Sequence, residues 1–297
     1  VNGKRFFRIA DISIQVEADI PITEKTFATI FDAFRVDEPG QDVITIRHHF
    51  GLPELTAEQR GKKIGDKMYL TIYQSKDGWI YDSTGFDERS EPVRQLSFVN
   101  PEHTRIDVYT ERDDVFKDGT LYTLSFYPHD MFFLSRILAD RRGCMFHSSG
   151  VILDGQGLLF VGHSGAGKSS MVKMLQRHAK ILCDDRNIVR QGDEGFRIFG
   201  TWNHGEVPIV SSRSAPLRSI LFLQKAAGNR ILPLDDRLEA IRQLVACTIK
   251  PMTTAEWWGK TFLFIEGLVN AVPCRVVEFD LSGGIVDLLN PDGLSVR

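Results

Sequence analysis

No hydrophobic run in the chain comes near the ~20 residues that a bilayer-spanning helix needs, so no such helix is expected. Cysteine is scarce. The four, at positions 144, 183, 247 and 274, form no Cys-x-x-Cys pair and match no zinc spacing. That excludes a disulfide framework and a zinc module, and it reads as buried thiols in a reducing, cytoplasmic setting. Neither sign of charge is in surplus: 36 Lys and Arg face 39 Asp and Glu, so no global field draws nucleic acid or a membrane surface. Internal repeats and low-complexity tracts are lacking, and Val1–Phe6 has no long apolar stretch, so a signal peptide is not expected there. What is present is ordinary globular material. Twenty Phe, four Trp and six Tyr supply a core, and 297 residues suggest one large or two modest domains at roughly 150 each.

Short apolar–polar alternations dominate the first part of the chain. Ile9–Val16, Val43–Ile46, Met68–Tyr73, Trp79–Tyr81, Gln95–Phe98, Arg105–Thr110 and Leu121–Tyr127 read as strands of a mainly antiparallel sheet. Lys76-Asp77-Gly78 and Lys117-Asp118-Gly119 supply turns, because Asp-Gly accepts positive φ at little cost. One helix is predicted where Phe27, Ile30, Phe31 and Phe34 recur at helical spacing, and another from Asp130 to Asp140. The texture changes after Gly143. Met145–Leu153 and Leu158–Val161 read as strands split by a tight turn at Asp154-Gly155-Gln156-Gly157. A helix over Ser169–Arg177 and short strands at Ile181–Cys183, Ile220–Gln224 and Arg275–Leu281 follow. Two late helices would present Leu238, Ile241 and Val245 on one face and Trp258, Phe262, Ile265 and Val269 on another. The expectation is an α/β chain, α+β overall: a β-rich region over 1–140 and a nucleotide-binding domain over 141–297.

That second region holds the chemistry. Gly162-His163-Ser164-Gly165-Ala166-Gly167-Lys168-Ser169 fits G-x-x-x-x-G-K-[ST] in full, between an apolar strand and a helix that continues through Ser170. Glycines let the backbone curl so that successive N–H groups point inward as an anion nest, and the helix adds its positive end. Lys168 reaches the β- and γ-phosphates, and the Ser169 hydroxyl is a Mg²⁺ ligand. Asp184 and Asp185 follow 16 and 17 residues after Lys168, at the end of the apolar run Ile181-Leu182-Cys183. Two adjacent carboxylates can divide labour, one holding metal while the other accepts a hydroxyl proton. Elsewhere, His48, His49, His103 and His129 have no metal spacing. Arg186 reads as a structural ion-pair partner of the Asp pair, with neutralisation of a transferring phosphate as the alternative. Trp258, at helical spacing with Phe262 and Ile265, reads as core, with an adenine clamp by Trp257-Trp258 as the alternative.

His147, the stretch GVILDGQGLLFVGHSGAGKSS and the segment ILCDD together resemble the C-terminal catalytic domain of bacterial HPr kinase/phosphorylase. The wider HPr-kinase-like set, which shares the phosphoenolpyruvate carboxykinase type of nucleotide fold, is similar too. The likeness covers residues 144–190, extends loosely through Phe199–Pro208 and Pro216–Gln224, and does not reach the first 130 residues. It implies that Lys168 and Ser169 bind ATP–Mg²⁺, that Asp184 is the base, that Asp185 assists metal binding and that His147 lies beside the phosphates. GFRIFGTWNHGEVPIV replaces the family's glycine-rich signature, and its Glu206 is either an acidic metal ligand or a plain surface carboxylate. The activity implied is ATP- and Mg²⁺-dependent transfer of the γ-phosphoryl group to a Ser or Thr hydroxyl of a protein or peptide. The β-rich half would select that acceptor, and a homo-oligomer is an expectation of the same kind. Two alternatives stay open: a nucleotide-binding sensor without transfer, and a small-molecule kinase of the same fold.

Overall fold

Ala10 and Asp11, at φ 49° and 60°, fold the chain back so tightly that Ile9 pairs directly with Ile12. This hairpin, β1 (Arg5–Ile9) and β2 (Ile12–Ala18), opens a computed structural model that describes residues 3–67, 69–86, 90–119, 121–125, 129–251 and 254–289. The chain divides into two compact units, residues 1–134 and 135–297. No helix among the described residues is long and apolar enough to cross a membrane.

In the first unit β3 (Arg35–Val36), β4 (Val43–Phe50), β5 (Lys62–Lys67), β6 (Leu70–Ser75), β7 (Gly78–Phe86), β8 (Pro92–Val99) and β9 (Arg105–Thr110) complete a nine-stranded sheet. Its order is β3-β1-β2-β4-β9-β8-β7-β6-β5. The sheet is mainly antiparallel as expected, but β2–β4 and β4–β9 pair in parallel. A short helix α1 (Ala57–Arg60), closed by a Thr56–Gln59 capping box, precedes β5. The helix predicted over 27–34 shrinks to a 3-10 turn at Thr29–Phe34. Phe27 is drawn into a β-bridge with Leu121 instead, and Phe7, Phe27 and Phe31 pack edge to face at 5.6–6.0 Å. Lys117-Asp118-Gly119 is the end of a short helix α2 (Asp114–Asp118), where Gly119 sits at φ 87°. Beyond the Leu121 bridge, residues 122–125 are bends rather than strand, and positions 126–127 of that predicted strand, like Met68 of another, lie outside the described residues.

Helix α3 (His129–Asp140) leads into the second unit. There β10 (Gly143–Leu153) and β11 (Gln156–Val161) form a hairpin whose turn residues Asp154 and Gly155 both have positive φ. Then come α4 (Lys168–Leu175), β12 (Lys180–Cys183), β13 (Arg186–Gly192), β14 (Gly195–Phe199), β15 (Ser214–Lys225), β16 (Arg230–Pro233), α5 (Arg237–Cys247), α6 (Ala255–Ala271), β17 (Cys274–Phe279) and α7 (Ile285–Leu288). The long strands β10 and β15 each serve two groups of neighbours. β10 pairs with β13 over its first half and with β11 and β12 over its second. β15 pairs with β14 early, then in parallel with β11 and β17. Leu159 and Val161 face the cluster under α5 and α6, while Leu158 and Phe160 face the one holding α4 and α7. A strand covered on both sides must be apolar throughout, which is why LLFV shows no alternation.

Two late faces agree with expectation in part. On α5 the expected Ile241 and Val245 pack against the core, but the fully buried residues are Ala240 and Leu244 and Leu238 is 78% exposed. On α6 the expected Ile265 and Val269 are buried, together with Trp257, Phe264 and Leu268. Of the adjacent pair, Trp257 rather than Trp258 is buried. Its indole N–H donates to the Ser135 carbonyl at 3.0 Å, whereas Trp258 stacks outward on Phe262. Helix α6 is apolar nearly all round, so spacing alone leaves its phase ambiguous.

Candidate nucleotide and phosphoryl-transfer site

Between β11 and α4 the chain runs through Gly162-His163-Ser164-Gly165-Ala166-Gly167. Gly167 takes φ 101° with its α-carbon against the Phe279 ring, where a Cβ would lie 2.6 Å from a ring carbon. Any side chain there would fight both backbone and ring. Gly165, at φ 82°, has nothing within 4 Å of where its Cβ would be, so that side of the loop is open. Lys168 opens α4 and is buried, its ammonium donating to the carbonyls of Gly162 at 2.8 Å and His163 at 3.1 Å. Burial lowers the Lys168 pKa, and the neighbouring Cys247, Asp185 and Asp184 partly offset that.

The Asp pair lies in the turn between β12 and β13 and is held from several sides. Ser149 Oγ donates to the Asp184 carbonyl at 2.9 Å, and Ser148 N donates to the Asp185 carbonyl at 3.0 Å. Asn187 Nδ2 bonds the carbonyls of Ser148 and Cys183. The Asp184 carboxylate, 2% exposed, accepts the Gly205 N–H at 2.7 Å, the Val207 N–H at 2.9 Å and the Ser169 hydroxyl at 3.4 Å. Asp185 turns the other way, toward His147 Nδ1 at 3.0 Å and Arg186 Nη1 at 2.6 Å. Burial pushes the Asp185 carboxyl up. The His147 hydrogen bond and the charges of Arg186, His147 and Lys168 outweigh it, and the net shift is downward.

The structure thus brings Lys168, Ser169, Asp184 and Asp185 to the C-terminal ends of β11 and β12, with His147, from the middle of β10, joined to them through Asp185. Glu206 is set apart. It is 71% exposed and paired with Lys173 at 3.1 Å, although its neighbours Gly205 and Val207 bond Asp184. The loop is anchored by buried Trp202 and by Thr201, whose hydroxyl donates to the Arg186 carbonyl at 2.7 Å. Sequence reasoning missed Ser148, Ser149, Asn187, Thr201 and Gly205. Of these, Gly205, flanked by His204 and Glu206 in a loop already under suspicion, was the one within reach. All four cysteines are free.

Among the described residues no three His, Cys, Asp or Glu side chains gather to hold a metal unaided. Ser169 and Asp184 offer one hydroxyl and one carboxylate beside an open glycine loop. That donor set suits a Mg²⁺ ion that takes its other ligands from phosphate and water.

Residues 118–288 match the family model described as SynChlorMet cassette protein ScmC. No curated protein matches the chain. Among solved structures, the Hpr(Ser) kinase/phosphatase from Coxiella burnetii is similar at 12% identity. The match covers 48% of this chain and 90% of that one with a TM-score of 0.29, too low to bear on fold or chemistry. With more than half of its residues inside the matched model, the chain belongs to the SynChlorMet cassette protein ScmC family.

Proposed function

We propose that this protein is an ATP- and Mg²⁺-dependent kinase that transfers the γ-phosphoryl group to a Ser or Thr hydroxyl of a protein or peptide. The observation that carries the reading is the Ser169 hydroxyl on the buried Asp184 carboxylate, at the start of a helix entered through a glycine loop that also folds Lys168 inward. The loop N–H groups and the first turn of α4 cradle the triphosphate, and Lys168 turns from its carbonyl partners to the phosphates. A Mg²⁺ ion, when bound, would supply positive charge to neutralise the phosphates. Ser169 and Asp184 would hold it, so we assign Asp184 the metal rather than the base role that the resemblance implies, because its carboxylate is fixed beside the Ser169 hydroxyl by two backbone N–H groups. The Ser and Thr acceptor class rests on the sequence resemblance over residues 144–190, and we assign its selection to the first unit.

Lys168→Ala removes the phosphate-directed cation and should cost about 10²–10³ in transfer rate. The assay is labelled-ATP phosphorylation of extract from the source organism, with mass spectrometry of the labelled species and a fluorescent ATP analogue to follow binding. Turnover by the variant at the wild-type rate would sink the assignment. Tight Mg²⁺-dependent binding with no labelled product would favour the sensor reading.

A further inference from the structure

The proposed transfer needs a group to take the acceptor's proton, and from the contacts around the two aspartates we infer that His147, oriented by Asp185, is that base. The inference rests on the kinase reading. Asp184 is poorly placed for the task, being 2% exposed with both carboxylate oxygens engaged. His147 is placed well. It lies in the middle of β10, paired with Arg186 and one residue before Ser148, which pairs with Val161, the last residue ahead of the glycine loop. Its partner Asp185 lies within the field of Lys168. A third of the His147 side chain is open to solvent, and its Nε2 has no protein partner among the described residues.

The hydrogen bond sets the tautomer. Asp185 accepts, so Nδ1 carries the proton and Nε2 presents a lone pair. In the transfer step the acceptor oxygen bonds the γ-phosphorus as the bond to the bridging oxygen breaks and ADP leaves. The hydroxyl proton passes to Nε2, and the resulting imidazolium is stabilised by the Asp185 carboxylate. His147 is therefore a catalytic residue, and Asp185 a positioning residue. Arg186 sharpens the test because a guanidinium only donates. In Asp185→Asn it claims the amide oxygen and turns the NH₂ group toward Nδ1. Nδ1 must then accept, and the ring proton moves to Nε2, where it blocks the lone pair.

Long-range ¹H–¹⁵N spectra of the full chain, with His147 assigned by its loss in His147→Gln, read the tautomer without turnover. We expect Nδ1–H in the wild type and Nε2–H in Asp185→Asn. A saturating non-hydrolysable ATP analogue with Mg²⁺ should shift the Nε2 resonance. In ATP hydrolysis with water as acceptor, His147→Ala should lose ~10²–10⁴ in kcat with KM for ATP unchanged, and added imidazole should restore part of the rate. An Nε2–H tautomer in the wild type, or an Nε2 resonance indifferent to bound nucleotide, overturns the assignment while leaving the kinase reading standing. Failure of the fluorescent analogue to bind overturns the kinase reading itself, and the base role with it.

Discussion

At the scale of single residues, the first unit buries two titratable groups on one peptide. His48 Nε2 donates to the Leu124 carbonyl at 2.8 Å, and Asp130 accepts the Leu124 N–H at 2.7 Å together with the N–H and hydroxyl of Ser125. Burial lowers His48 to about 4 and raises Asp130 to about 6. The signs oppose. Below pH 6.5 the unfolded chain takes a proton that native His48 refuses, so acid destabilises the fold by up to roughly 3 kcal/mol by pH 4. Native Asp130 keeps its proton up to about pH 6, whereas the unfolded carboxyl releases it near 3.8. Lowering the pH through that window therefore stabilises the fold by roughly 3 kcal/mol. Between pH 6 and 4 the two slopes cancel. Asp130→Asn should unmask the histidine: relative to wild type, its opening free energy should fall by roughly 3 kcal/mol more over that interval. Hydrogen exchange of the β8 and β9 amides at several pH values, corrected for intrinsic rates, measures this. Parallel pH profiles for the two proteins would show that Asp130 does not hold its proton.

At the scale of elements, the loop from Gly200 to Pro208 sets the Asp184 carboxylate, and it tolerates little bulk. A Cβ on Gly205 would lie 3.1 Å from Asp184 Oδ2 and 3.2 Å from the Asp185 Cβ. Gly205→Ala should therefore push the loop off its N–H bond and weaken Mg²⁺-supported nucleotide binding by about tenfold, while binding without Mg²⁺ changes little. Titrating Mg²⁺ against the fluorescent analogue checks it, and an unchanged Mg²⁺ requirement would detach the loop from the metal side. The glycine loop and the Asp pair were legible in the sequence because each is local: a few consecutive residues carry both the geometry and the chemistry. So was the Asp154-Gly155 hairpin. The supports were not legible. Ser149 lies 35 residues before the Asp184 carbonyl it holds, and Asn187 lies 39 after Ser148, so only the strand register unites them. The same limit hid the parallel pairings of β4 and the length of β15, whose twelve residues serve two sets of neighbours. On α6 the reading placed Ile265 and Val269 correctly but Trp258 and Phe262 wrongly for another reason, the helix's lack of a polar side.

At the scale of the whole chain, each unit carries its own buried set. Ile12, Ile14, Ile44, Ile46 and Val108 are fully buried in the first, and the clusters on either side of β11 fill the second. Every residue assigned to nucleotide binding and transfer, from His147 to Val207, falls in the second unit. The division at 134/135 crosses α3, with Phe133 and Leu134 on one side, Ile137 and Leu138 on the other, and all four buried. A fragment beginning at residue 135 would halve that helix, so the informative fragment begins at His129 and keeps it whole. It should bind the fluorescent ATP analogue with Mg²⁺ within a few-fold of the full chain, since the loop, Lys168, Ser169 and the Asp pair all lie within it. If the first unit selects the acceptor, the fragment should also hydrolyse ATP with water while forming no labelled product in extract. Adding the first unit as a separate chain would not restore the product unless the two reassociate, so the comparison is made between the fragment and the full chain at matched nucleotide occupancy. A fragment that labels the same species as the full chain would place acceptor recognition in the second unit and leave the nine-stranded sheet to another task.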